Sequence, residues 1–232
     1  MYYKIRSFIK KLIKDTPLWK IREFQKRNLL NKKIKYFLSE STEILQKVSA
    51  TLNENNILFW LEFGTLLGFY REKGFIKHDF DFDFGCFLND AERVRKVLTE
   101  NNFVLVREFN SLKDGGREEC YLYKHTTIDI FYFRNDDKLD TIFCNTFRCL
   151  EDTRALHKSF KAQVKRLDFP NSGFSETEFN GCKINVPKNT AEHLKSHYGD
   201  DFMTPSVKYV SHNTIYLDFN EMPGEYIFHK II

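Results

Sequence analysis

Aspartate and phenylalanine alternate over the six residues from Asp79 to Phe84. Side chains alternate across a β-strand, so a strand here would carry Asp79, Asp81 and Asp83 on one face and phenyl rings on the other. The phenyl face needs burial, which predicts a strand inside a sheet. Carboxylates two residues apart on one face lie only ~6.5–7 Å from each other and repel. The segment therefore predicts a site for Mg²⁺ or Mn²⁺, and the alternative is an edge strand whose aspartates face water.

A Gly-Thr pair precedes this strand, with 13 residues between Thr65 and Asp79. It follows a short apolar run and begins a predicted helix. Glycine lets the backbone approach a phosphate closely, and the threonine hydroxyl and the helix N-terminus supply donors. Gly64 and Thr65 are therefore predicted to bind phosphate next to the metal site.

A third carboxylate is predicted from another strand. Asp129 is the single acidic residue within the run Ile128–Phe131. A buried carboxylate is costly without a partner, and a shared metal ion would be one. The alternative is an aspartate that is hydrogen-bonded at the end of a strand.

The hydrophobic pattern predicts a mixed α/β (α+β) fold in which helices flank a sheet. Helices are predicted over 37–54, from Gly64 through Arg71, over 91–100, near 152–166 and over 190–198. Strands are predicted at 57–63, 79–87, 103–109, 119–124, 127–133, 140–148 and 183–186.

Positive charge is concentrated at the start of the chain. Residues 1–35 contain twelve Lys or Arg against two acidic residues, a balance of +10 in a chain whose net charge is +4. Residues 36–232 therefore carry −6. A nucleic-acid-binding domain spreads basic charge over its folded surface, so no nucleic-acid partner is expected. We predict a basic amphipathic helical arm over 1–35 and a single catalytic domain over 36–232.

The arm has two open interpretations. Apolar residues at 5, 8, 9, 12 and 13 follow helical spacing, Pro17 is predicted to end that helix, and a second apolar stripe begins at Leu18. Residues 1–33 could lie on a membrane surface as a peripheral anchor, or pack on the body with solvated lysines.

The cysteines indicate the compartment. Their number is five, none forms a CxxC pair, and lysines interrupt every apolar run near the start, where a secretory signal would lie. No run of 18 uncharged apolar residues occurs. We therefore expect reduced thiols in the cytoplasm, with possible peripheral contact at the cytoplasmic face of the membrane.

The motif segments together resemble the LicD family. The signature comprises WLEFGTLLGFYR (60–71), GFI (74–76) and the aspartate run 79–83, and the family's DIF strand follows at 129–131. A closing pattern matches between Phe179 and Pro205, so the resemblance covers about 57–205. Lys77-His78 replaces the family's usual Pro-Trp, and Phe80 replaces a common second aspartate. Asp79, Asp81 and Asp83 keep their positions, so metal binding is expected to be little affected, whereas His78 is expected to alter the mouth of the site and hence the substrate.

The resemblance implies a nucleotidyltransferase-like fold and a phosphotransferase. The expected reaction moves a substituted phosphate from a CDP-linked donor, such as CDP-choline or CDP-ribitol, to a hydroxyl of a cell-surface glycan, either lipid-linked or free, and releases CMP. Asp81, Asp83 and Asp129 would hold Mg²⁺ (or Mn²⁺), and Asp79 or Asp129 would accept the acceptor's proton. Gly64, Thr65 and Arg71 would bind the donor phosphates.

Three other functions remain open at this point. A nucleotidyltransferase would attack the α-phosphate and release pyrophosphate. A glycosyltransferase with a DxD motif would not need the Gly-Thr pair so close upstream. A membrane-associated glycan-binding protein could keep the fold without the chemistry, although its aspartates would then have no evident purpose.

Overall fold

The computed structural model describes residues 16–150, 159–205 and 211–229. Within these ranges the chain forms four α-helices and eleven strands. The helices are α1 (Pro17–Glu54), α2 (Phe63–Leu67), α3 (Ala91–Glu100) and α4 (Thr190–Tyr198). The strands are β1 (Phe59–Leu61), β2 (Asp81–Phe87), β3 (Val104–Ser111), β4 (Arg117–Tyr123), β5 (Thr126–Asp136), β6 (Thr141–Cys149), β7 (Ser159–Pro170), β8 (Phe174–Phe179), β9 (Cys182–Pro187), β10 (Thr214–Tyr216) and β11 (Pro223–Phe228).

The described strands belong to one mixed sheet in the order β10-β7-β11-β3-β4-β5-β2-β1-β9-β8. Strand β6 joins this sheet by pairing with both β5 and β7. The pairings β5–β6–β7–β11–β3–β4–β5 are all antiparallel and return to their starting strand, so these six strands close into a ring. Strand β2 pairs parallel with β5, and β1 pairs parallel with β9.

Helix α1 begins with a capped first turn. The hydroxyl of Thr16 accepts a hydrogen bond from the backbone N–H of Trp19 at 3.3 Å, and Pro17 occupies the first helical position. Proline is favourable there because its missing N–H has no partner to lose. The first half of the helix is mostly exposed, and deep burial begins at Phe37.

Strand β5 is buried on both faces and separates two hydrophobic cores. One core packs the sheet against α1 and α3 and includes Ile128 and Ile130. The other includes Phe131 and Phe133 and lies towards β6 and β7. The fold class is therefore confirmed: a large mixed sheet flanked by helices.

Most predicted elements are confirmed, and one is wrong. Strands β3 to β6, strand β9 and helices α3 and α4 match their predictions closely. Residues 159–166 were predicted as part of a helix and instead form β7; positions 152–158 lie outside the described residues. The apolar side chains Phe160, Ala162 and Val164 follow a period of two and are buried, as a strand paired on both sides requires.

Three boundaries differ from prediction. Pro17 begins a helix where an end was predicted; the predicted helix before it lies outside the described residues. The proposed division between residues 35 and 36 falls inside α1. Strand β2 begins at Asp81, and Asp79 lies in the preceding turn, where its N–H donates to the carbonyl of Ile76 at 3.0 Å. None of the helices described is long and apolar enough to cross a membrane.

Candidate active site

Strand β2 sorts its side chains onto two faces. Phe82 and Phe84 are fully buried in the core beneath α1. Asp81 and Asp83 alternate with them and lie half-buried on the opposite face. The burial of the phenyl rings thereby fixes the direction of both carboxylates.

Asp129 lies opposite Asp83 in the parallel pairing of β2 with β5. Only 7% of Asp129 is exposed, and both its carboxylate oxygens lie 3.3 Å from Nη2 of Arg107. Arg107 belongs to β3 and reaches across Cys120 of β4, which pairs in register with both residues. The buried aspartate therefore has a cationic partner within the protein.

The aspartates on this face perturb one another. The pKa of Asp81 is raised to about 8, first by burial and then by the charges of Asp129 and Asp79. The pKa of Asp83 is also raised, first by burial and then by Asp81 and Asp129. Burial raises the pKa of Asp79 as well. Full ionisation of these aspartates would place more negative charge here than Arg107 can compensate.

The glycine turn is tied directly to the carboxylate strand. The N–H of Gly64 donates to Oδ2 of Asp83 at 3.0 Å. The hydroxyl of Thr65 accepts from the backbone N–H of Asp83 at 2.9 Å. A Cβ at position 64 would lie 3.0 Å from Oδ2 of Asp79 and 3.2 Å from Oδ2 of Asp83. Glycine is needed at this position because the carboxylates occupy the space that a side chain would take.

A buried carboxylate holds this turn in place. Oε2 of Glu62 accepts from the indole N–H of Trp60 at 2.8 Å, and Oε1 lies 2.8 Å from Nε2 of His193. Oε1 also accepts from the backbone N–H of Phe63 at 3.2 Å, where the chain takes a φ of +40°. Glu62 thus connects β1, the turn and helix α4.

The predicted phosphate-binding residues occupy different positions. Gly64 lies beside Asp83 and lines the cavity described below. Thr65 is buried, with its hydroxyl engaged by the strand, and does not line that cavity. Arg71 contacts Glu72 at 2.8 Å and donates to the carbonyl of Phe202 at 3.1 Å, also away from the cavity lining. The structure therefore brings Gly64, but neither Thr65 nor Arg71, to the cavity beside the carboxylates.

A cavity of about 430 Å³ opens beside Gly64 and Asp83. Its polar lining includes Glu118 of β4 and Lys165 of β7, and its volume is in the range of small-molecule sites. The pKa of Glu118 is raised to about 8, first by burial and then by the charge of Asp129. Aromatic walls are formed by Phe63, Phe131, Phe147 and Tyr198.

Sequence reasoning missed several residues of this site. Arg107 and Glu118 belong to strands that were predicted, but charged residues there were not assigned a function. A lone arginine in a half-apolar strand was a usable signal for a partner to Asp129. Lys165 was missed because residues 159–166 were predicted as a helix, which would not place its side chain on a sheet face beside the carboxylates. The contact of Glu62 with His193 joins residues 131 positions apart and has no local signal.

The donor set can be compared with the needs of a divalent cation. Among the described residues, no group of three or more His, Cys, Asp or Glu side chains is already arranged as a metal site. The chemistry nevertheless fits, because Asp81, Asp83 and Asp129 offer hard oxygen ligands in a region of uncompensated negative charge. Mg²⁺ on these three residues stays a prediction.

Comparison with known proteins places the chain in a family. Residues 56–189 match the family model described as LicD/FKTN/FKRP, nucleotidyltransferase domain. The ribitol-5-phosphate transferase FKTN of Mus musculus is 26% identical over 170 residues, which is 73% of this chain and 34% of that protein. The Homo sapiens protein of the same name is also 26% identical over 170 residues, with the same coverage.

A bacterial relative matches over a shorter stretch. An uncharacterized protein of Rickettsia prowazekii is 36% identical over 56 residues, or 24% of this chain and 21% of the relative. The chain spans about a third of the length of the FKTN proteins. Because the family model covers more than half of the chain, including the glycine turn, β2 and Asp129, this protein belongs to the LicD/FKTN/FKRP nucleotidyltransferase-domain family.

Proposed function

We propose that this protein transfers an alcohol phosphate from a CDP-linked donor to a hydroxyl of a glycan and releases CMP. One observation carries the proposal: Asp81, Asp83 and Asp129 share one face of the sheet, next to Gly64 and a cavity of about 430 Å³. The similarity to the ribitol-5-phosphate transferase FKTN supports this class of donor.

Asp81, Asp83 and Asp129 are the residues that would hold Mg²⁺. When bound, the ion would neutralise charge on the donor diphosphate and on the departing CMP. Arg107 keeps Asp129 in position through contacts to both carboxylate oxygens. The N–H of Gly64 donates a hydrogen bond to the carboxylate of Asp83, which joins the turn to the strand at one edge of the site.

The transfer replaces one oxygen–phosphorus bond by another. The acceptor hydroxyl oxygen forms a bond to the phosphorus that carries the alcohol, and the bond from this phosphorus to the oxygen of CMP breaks. The acceptor proton goes to a carboxylate. Asp129 is engaged with Arg107, whereas Asp79 lies in the turn before β2 with a pKa raised by burial. We therefore assign the general base to Asp79.

The test is release of CMP from CDP-ribitol, CDP-choline and CDP-glycerol by the purified chain in Mg²⁺, with candidate sugar acceptors. We expect Asp81→Asn and Asp83→Asn each to lower release at least ~100-fold, as loss of a metal ligand does. Asp90→Asn, at the surface turn before α3, serves as the control.

Three results would contradict the proposal. Unchanged CMP release in both variants at saturating Mg²⁺ would remove the assigned metal site. Formation of pyrophosphate from CTP, without CMP release from any CDP-linked donor, would support nucleotidyl transfer instead. A chain that binds glycans but no Mg²⁺–nucleotide would fit the non-enzymatic alternative.

We also propose that the exposed half of α1 contacts an anionic membrane surface, at the cytoplasmic face. Residues 17–35 carry seven Lys or Arg and one Glu. Ile21, Phe24 and Leu29 are each more than half exposed on this basic segment. Basic charge with exposed apolar side chains is typical of interfacial helices. Such contact would keep the site near a lipid-linked acceptor.

Vesicle sedimentation tests the membrane contact. We expect the chain to bind vesicles containing anionic lipid, and the double variant Ile21→Ser/Phe24→Ser, like deletion of residues 1–33, to reduce binding at least ~10-fold. Leu112→Ser and Leu139→Ser remove exposed apolar side chains elsewhere and serve as controls. Equal sedimentation of all variants would contradict the assignment.

A further inference from the structure

The cavity beside the carboxylates joins two walls of the fold. Gly64 and Asp83 contribute from the turn and from β2, and Glu118 contributes from β4. Thr146 of β6 and Lys165 of β7 contribute from the strands that close the ring. Thr146 and Lys165 are paired in register, so their side chains share one sheet face.

Glu118 and Lys165 are an acid and a base that line this cavity without forming an ion pair. Each acts on the other electrostatically, but the carboxyl oxygens of Glu118 and the nitrogen of Lys165 are not within the 4.0 Å of a salt bridge. Both residues are half-buried. The backbone N–H of Phe147 is a further polar neighbour of Glu118. Both side chains line the cavity, so a ligand bound there can contact the two together.

The hydrogen-bonding chemistry of the two side chains restricts which ligand group fits between them. The ammonium of Lys165 only donates hydrogen bonds, whereas the carboxyl of Glu118 offers an acceptor oxygen in either protonation state. A hydroxyl does both, so neighbouring hydroxyls can satisfy the two residues together. A quaternary ammonium group has no hydrogen-bond donor, and Lys165 repels it.

We propose that Glu118 and Lys165 are specificity determinants that bind the hydroxyls of a polyhydroxylated substrate group and disfavour a quaternary ammonium group. This inference rests on the proposed transfer from a CDP-linked donor. The threonine hydroxyls of Thr146 and Thr214 add polar contacts, and the aromatic walls cover the carbon skeleton. The polyhydroxylated group belongs either to the donor alcohol or to the acceptor sugar, and both present the same chemistry.

Calorimetric binding in Mg²⁺ tests the inference without measuring turnover. CDP, which lacks an alcohol, gives the reference affinity, and CDP-ribitol and CDP-choline are compared with it. If the donor alcohol fills the cavity, wild-type protein will bind CDP-ribitol at least ~10-fold tighter than CDP-choline, which is the size of one charge-assisted hydrogen bond. Lys165→Met and Glu118→Gln will each reduce this ratio while leaving CDP affinity within about twofold.

Lys161→Met is the matched control, because Lys161 lies four residues before Lys165 on the same strand and has an exposed side chain. It should leave every affinity unchanged. A second arm titrates methyl glycosides of galactose and N-acetylgalactosamine into the protein saturated with CDP. Dependence of glycoside binding, rather than of CDP-ribitol binding, on Lys165 would assign the cavity to the acceptor.

The possible failures are distinguishable. If no CDP compound binds wild-type protein in a Mg²⁺-dependent manner, the proposed function fails and this inference fails with it. If CDP binds with Mg²⁺ but neither Lys165→Met nor Glu118→Gln changes the binding of CDP-ribitol or a glycoside, the inference alone is overturned. Thermal unfolding identifies any variant that does not fold. In that case the inference is tested by the remaining variant and by the preference of the wild-type protein for CDP-ribitol over CDP-choline.

Discussion

Oδ2 of Asp83 accepts a hydrogen bond from the backbone N–H of Gly64 at 3.0 Å, so a residue of the glycine turn holds a residue of the carboxylate strand. The reverse contact, from the N–H of Asp83 to the hydroxyl of Thr65, measures 2.9 Å. The two motifs, separate in sequence, are therefore one structural unit. A substitution in the turn should therefore change the positions of the carboxylates.

Gly64→Ala should weaken Mg²⁺-dependent binding of CDP by about 10- to 100-fold, the range typical of disturbed ligand support. The new methyl group would lie 3.0–3.2 Å from carboxylate oxygens of Asp79 and Asp83 and displace them. Calorimetry measures the affinity, and thermal unfolding should change little. Gly74→Ala is the control, since its Cβ would meet no atom closer than 3.9 Å. Equal affinities in both variants would contradict the prediction.

Arg107→Met should destabilise the protein by about 2–3 kcal/mol, because it leaves buried Asp129 without its cation. The estimate is below the full range for buried pairs since the Arg107 side chain is 34% exposed. Urea unfolding in EDTA measures the loss, and Mg²⁺ should restore part of it if a cation binds at Asp129. Arg93→Met, which breaks an exposed pair with Asp90, should cost less than about 1 kcal/mol. A loss no larger than that control would refute the role of Arg107.

Glu62→Ala should cost about 3 kcal/mol or more, since it leaves the indole N–H of Trp60 and the ring of His193 unpaired in the core. Glu62→Gln retains an acceptor and should cost less. Denaturant unfolding gives both values. Glu43→Gln, on the exposed side of α1, is a control expected to stay within about 0.5 kcal/mol. Equal stability of Glu62→Ala and wild type would show that these contacts contribute nothing.

Stability should fall as pH rises if Glu118 titrates in the folded protein with a pKa near 8. Burial favours its neutral form, so its contribution is present below the ordinary pKa of 4.5 and is lost as pH rises through about 8. Glu118→Gln cannot ionise and should show a smaller loss between about pH 4.5 and 8. Urea unfolding in EDTA measures both, with exposed Glu176→Gln as control. Parallel curves for wild type and Glu118→Gln would disprove the shift.

Local patterns predicted much of the fold and part of the site. The period of two in β2 identified both its buried phenyl face and its carboxylate face, and the run around Asp129 identified β5. The helix predicted near 152–166 is wrong over 159–166, where the buried residues Phe160, Ala162 and Val164 alternate as in a strand. That strand is decided by its pairing with β6 and β11, which are distant in sequence.

The sequence by itself determined that Asp81 and Asp83 point together, because their phenylalanine neighbours must be buried and side chains alternate along a strand. Tertiary structure decided what surrounds them. Parallel pairing set Asp129 opposite Asp83, and ring closure brought Glu118 and Lys165 into one cavity. Those neighbours depend on long-range strand register and on the balance of buried charge, neither of which is encoded in any short stretch of residues.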